Sequence, residues 1–113
     1  MSEKVLLVLT NLPDRDSAQR MADALIESRA AACVNIMAEC NSVYRWQGAI
    51  ERASEIPLLI KTTLAAYPRL EATIRAHHPY ELPEIIAVPV DAGFPGYLQW
   101  VEQETKIPEN EGS

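Results

Sequence analysis

Two extended segments joined by one tight turn constrain this chain more than any other feature. Cys33 to Trp46 and Ile50 to Thr63 flank a turn at Gln47-Gly48, and each arm runs about 14 residues. Strands usually run only about 5–6 residues. At roughly 3.3 Å per residue each arm reaches on the order of 45 Å. A globule of this length has a radius of gyration of roughly 13 Å, hence a diameter near 34 Å. The hairpin must therefore bend or project. Its outer part carries Val43, Tyr44, Trp46 and Ile50, and leaving these beside an unpaired strand edge invites association. Pairing the arm with a neighbouring copy covers both, and a closed ring leaves no free edge. A bulged, bent hairpin in a monomer is the alternative, as is a loop around Ala38 to Asn41 that interrupts the arm.

The rest of the chain falls into order around this hairpin. Val5 to Leu9 is a continuous apolar run, as in a strand buried on both faces. Asp16 and Gln19 resemble a capping box, and Ala18, Met21, Ala22, Leu25 and Ile26 recur at helical spacing, so a helix is predicted over 16–30. Pro57 inside the return arm suggests an edge position or a bulge. Pro68 suits the first turn of a second helix, and Pro79 stops it. A further strand is predicted over Glu84 to Val90, and Phe94-Pro95-Gly96 opens a short last helix. The order is β-α-β-β-α-β with one extra helix: an α+β, ferredoxin-like sandwich built on right-handed split crossovers. One domain is expected over 1–105, followed by an acidic, frayed tail over 106–113.

Composition narrows the function classes. A net charge of −6 argues against a nucleic-acid surface. No apolar run is long enough to span a membrane. The start is too short in its apolar run and too weakly basic for a signal peptide, so a cytoplasmic location is expected. There Cys33 and Cys40 are expected to be free thiols. Catalysis has little support: the sequence lacks a Gly-rich phosphate loop, a nucleophile elbow and HExxH. A small hydrolase is the third alternative.

Six fragments, in order, give the chain a family likeness. They are Ala30-Ala31-Ala32-Cys33-Val34-Asn35, Tyr44-Arg45-Trp46-Gln47-Gly48, Ile60-Lys61-Thr62-Thr63, His77-His78-Pro79-Tyr80-Glu81, Pro83-Glu84-Ile85 and Tyr97-Leu98-Gln99-Trp100. Each alone is weak; together, over roughly Val5 to Val101, they resemble the CutA family, named for divalent-cation tolerance. The resemblance implies a homotrimer similar in architecture to PII signalling proteins. It also implies that copper or another divalent metal ion is bound, at least in some bacterial members.

The candidate site residues follow. His77 and His78 are the only histidines, and neutral imidazole suits copper, zinc and nickel. Adjacent residues on a helix point about 100° apart, so a shared ion needs the local freedom that Pro79 gives. Otherwise one ring caps the helix end and the other packs. The resemblance places this segment in the family's copper-binding region. Some bacterial members carry a cysteine where this chain has Thr10, so a Cys-His-His site cannot be carried over intact. Cys33 reads as a small core residue and Cys40 as a more exposed thiol. In the family's trimer, positions matching Lys61, Glu81 and Glu84 lie near a cleft between subunits, with Tyr44, Trp46 and Tyr97. Such a cleft would suit a PII-like sensor or scaffold that holds a small anionic ligand.

Overall fold

The computed structural model describes residues 3–108. Strand β1, Val5–Leu12, turns Leu6, Val8, Thr10 and Leu12 into the core. Leu7, Leu9 and Asn11 are only half-buried on its other face, so its apolar run reflects unequal cover on the two sides.

Helix α1, Arg15–Glu27, begins one residue earlier and ends three residues sooner than its spacing suggests. The carboxylate of Asp14, not a box at Asp16 and Gln19, caps it by accepting the Ser17 N–H at 2.7 Å. That bond holds the Asp14 carboxyl below the usual carboxylate range. The Gln19 amide donates instead to Asp23. Arg29, at φ 59°, turns the chain out of the helix, and the N–H groups of Ala30 and Ala31 close on the Leu25 carbonyl.

The two arms of the hairpin differ. The outgoing arm is two strands, β2 (Cys33–Ile36) and β3 (Cys40–Trp46), whereas β4 (Ala49–Thr63) is unbroken over 15 residues. The interruption at 37–39 traces to Pro57. Met37 N–H donates to the Pro57 carbonyl at 2.9 Å. In an antiparallel pair the return bond would run from residue 57 to the Met37 carbonyl. Proline has no N–H to give. The Arg15 guanidinium takes over that carbonyl at 3.1 Å. Pro57 thus lies within the central strand, opposite β1, at the point where the partner arm breaks. At the tip, Gln47 and Gly48 both take positive φ, 49° and 83°, the two-residue turn that suits a twisted hairpin.

Helix α2 (Tyr67–His77), strand β5 (Ile86–Pro89) and helix α3 (Pro95–Glu104) complete the chain. Strand β5 is shorter than expected and leaves Glu84 in the preceding loop. The antiparallel sheet runs β2-β4-β1-β5, with β3 continuing on β4 beyond the reach of β1. Helices α1 and α2 cover one face, packing Met21, Leu25, Leu70 and Ile74 on Leu58 and Ile60. Helix α3 lies against β4 and β1. Its end meets the sheet from the other face, where Thr105 touches Thr63. The arrangement is the ferredoxin-like one, and its long axis is 50 Å. The radius of gyration, 15.3 Å, exceeds the roughly 13 Å of a compact chain this long. The hairpin projects.

Candidate functional site

The projecting hairpin forms one wall of an open groove of about 890 Å³. Leu12 pairs with Ile56 as the last residues that β1 and β4 share. One residue further out, Glu55 has lost that neighbour, and the 80–84 loop comes across instead. The Tyr80 hydroxyl donates to Glu55 Oε2 at 2.9 Å. Alternation along the hairpin sets Ser42, Tyr44 and Trp46 on the same face as Glu55, and all four line the groove. Glu81, Leu82 and Glu84 line it from the loop, and Asn11 Nδ2 donates to Glu84 Oε1 at 3.3 Å. Among the described residues no lysine or arginine lines it. Burial, and then the Glu55 carboxylate, push the Tyr80 hydroxyl well above its ordinary pKa.

The two histidines diverge at the end of α2. His77 is exposed, with Nδ1 2.9 Å from the Thr73 carbonyl. That bond fixes a proton on Nδ1 and leaves the lone pair on Nε2. His78 is buried, and both its nitrogens are committed: Nε2–H donates to the Asn11 carbonyl at 2.7 Å, and Nδ1 accepts the Tyr80 N–H at 3.2 Å. Burial pushes its pKa down, opposed by the Asn11 carbonyl and the Glu55 charge. His78 therefore ties α2, the end of β1 and the groove loop together. It would join a metal only by giving up one of these bonds. Among the described residues no three His, Cys, Asp or Glu side chains cluster to hold a metal ion. One chain offers an open imidazole nitrogen at His77, not a closed site.

Other candidates lie apart within one chain. Lys61 donates to Asn35 Oδ1, four residues along β4 from Pro57, the partner of Asn11. It is thus separated from Glu84 by roughly 13 Å of strand. Cys33, paired with Lys61 across the sheet, contacts Tyr97 of α3, whose hydroxyl pKa is raised by burial and then by the thiol. Cys40 lies 3.8 Å from the Ser42 hydroxyl. Thr10 is wholly buried, and its Oγ1 has no hydrogen-bond partner among the described residues. Sequence reasoning passed over Glu55, Tyr80 and Asn11. The one signal for Glu55 was its phase, since it shares strand parity with Pro57 and Leu59 rather than with the core residues Ile56 and Leu58.

Comparison with known proteins places this geometry. The family model described as CutA1 divalent ion tolerance protein matches residues 6–104. The chain belongs to that family. The divalent-cation tolerance protein CutA of Thermus thermophilus is 44% identical, covering 88% of this chain and 96% of that one. Protein CutA of Mus musculus is also 44% identical, and this chain covers 57% of its length. The crystal structure of CutA1 from Oryza sativa superposes with a TM-score of 0.90 at 33% identity, covering 93% of this chain and 96% of that one. As a CutA1-family member the chain has relatives named for tolerance to divalent cations, not for catalysis. No helix among its described residues is long and apolar enough to cross a membrane.

Proposed function

We propose that this chain works as a cytosolic, non-enzymatic homotrimer that takes up copper or another divalent metal ion in the response to metal. The orientation of His77 carries the metal reading. Its Nδ1–H is held by the Thr73 carbonyl, so Nε2 presents its lone pair outward. One imidazole is too few donors to hold an ion firmly, so water or neighbouring subunits supply the rest. The trimer has its own support. Val43 and Ile50 are 58% and 61% exposed. They share one face of the hairpin beside the free edge of β3, and Val43 also borders the groove. A neighbouring copy covers that face and edge.

Titration calorimetry with Cu²⁺ and Zn²⁺ tests the metal site. His77→Ala should weaken binding by at least about tenfold, the scale on which even an outer-shell partner acts. His78→Ala should act on stability first. Full metal uptake in His77→Ala removes the site. A ligand sensor of the PII kind is the second reading, favoured by the groove, though its carboxylate lining speaks against an anionic ligand.

A further inference from the structure

His77 gives a metal ion one donor, and the helix side of the sheet holds a second within the same chain. A small pocket of about 240 Å³ lies where α1 begins and α2 ends. Asp14, Ser17 and Arg20 border it from the α1 side, His77 and Pro79 from the α2 side. Met21, a core residue under the helices, closes its floor. The pocket shares no lining residue with the large groove and none with the hairpin.

Both donors are already oriented by their own backbone. Asp14 Oδ1 accepts the Ser17 N–H at 2.7 Å, and Oδ2 makes no hydrogen bond among the described residues. The bonds from Ser17 hold this carboxyl below the usual carboxylate range, so it stays charged in mildly acidic solution. His77 Nδ1 is engaged by the Thr73 carbonyl at 2.9 Å, which leaves Nε2 with its lone pair. One carboxylate oxygen and one neutral imidazole suit zinc or Cu²⁺ and suit Cu⁺ poorly, because Cu⁺ prefers thiolate and thioether. The last turn of α2 adds its carbonyl ends, whose partial negative charge favours a cation.

Arg20 is the opposing element. Its charge lies near enough to help lower the Asp14 carboxyl. It is exposed and makes no salt bridge with Asp14 among the described residues, so it is free to swing into solvent.

We infer that Asp14 is the second protein donor of the His77 site, so that one chain holds Zn²⁺ or Cu²⁺ between the start of α1 and the end of α2. Two protein donors leave positions for water, in keeping with the lack of a three-residue cluster among the described residues. The inference rests on the metal reading of His77 and narrows it to an N/O-ligated divalent ion.

The test is titration calorimetry of the assembled protein with Zn²⁺, joined to electron paramagnetic resonance of its Cu²⁺ form. Asp14→Asn keeps an acceptor for the Ser17 N–H, so the melting temperature should hold. Zn²⁺ affinity should fall at least about tenfold, the scale on which even an outer-shell partner acts, and the Cu²⁺ spectrum should change. Asp16→Asn, an exposed carboxylate in the first turn outside the pocket, should leave both unchanged. Arg20→Gln should leave the affinity equal or raise it. Should Asp14→Asn fail to fold, Asp14→Ser, an equally good cap, must show the same loss. Undiminished affinity in the Asp14 variant beside a loss in His77→Ala overturns the inference and leaves the metal reading standing. An equal loss in Asp16→Asn, or a weaker site in Arg20→Gln, also overturns it. Undiminished affinity in His77→Ala, or no saturable Zn²⁺ binding at all, removes both.

Discussion

The body of the sheet and its projecting hairpin use one long strand in opposite ways. Along β4, Ile56, Leu58, Ile60 and Thr62 are sealed under α1 and α2, while residues 49–52 and 54 are exposed. The inner half is held by a core it shares with β1, β2 and two helices. The outer half is held only by β3 and, on one side, by the loop that brings Tyr80 to Glu55. A lone two-stranded ribbon is marginal in water. Inner residues therefore carry folding, whereas outer ones are free to carry association and binding.

Substitution on either side of this divide gives the sharpest contrast. Leu58→Ala removes a fully buried side chain and should cost about 2–5 kcal/mol in denaturant unfolding. Ile50→Lys, at an exposed position, should leave the secondary structure intact and lower the solution mass instead. If Ile50→Lys unfolds the chain as Leu58→Ala does, the division fails.

His78 stands at the boundary, and its effect is smaller. His78→Ala removes the bonds to the Asn11 carbonyl and the Tyr80 N–H, and should cost about 1–3 kcal/mol. Its pKa is depressed from 6.5 by burial, so the unfolded chain takes up this proton at higher pH than the folded one. The stability His78 contributes is whole above about pH 6.5 and is lost as pH falls through the folded value. Thermal melts between neutral and mildly acidic pH should show a drop that His78→Ala flattens. An unchanged slope in the variant would contradict this role.

The smallest effect has the opposite sign. Thr10 carries a hydroxyl into the core with no partner among the described residues, at a cost. Thr10→Val should be neutral or stabilising by at most about 1 kcal/mol in the same unfolding assay. A marked loss would show that Oγ1 has a partner after all.

The sequence made the fold legible because period and punctuation agreed. The apolar run of β1, the prolines at the start of α2 and α3, and the Gln47-Gly48 turn each had one reading. The break between β2 and β3 was foreseen only as an alternative, because its cause is spread over three places. Pro57 withholds a donor, Met37 is left with an acceptor, and Arg15 answers from another element. The site was less legible for a similar reason. His77 and His78 are adjacent in sequence, yet their roles part according to which neighbours lie within reach, Thr73 for one and Asn11 with Tyr80 for the other. Glu55 and Tyr80 lie 25 residues apart, and nothing local announces that they meet. Of the acidic tail, residues 109–113 lie outside the described residues.

The central claim is that the hairpin reaches beyond its own globule because another copy receives it. Light scattering on the purified chain at micromolar concentration tests this most directly. The account predicts a single species at three times the chain mass of 12.6 kDa, persisting on dilution. A well-folded species at 12.6 kDa would contradict it.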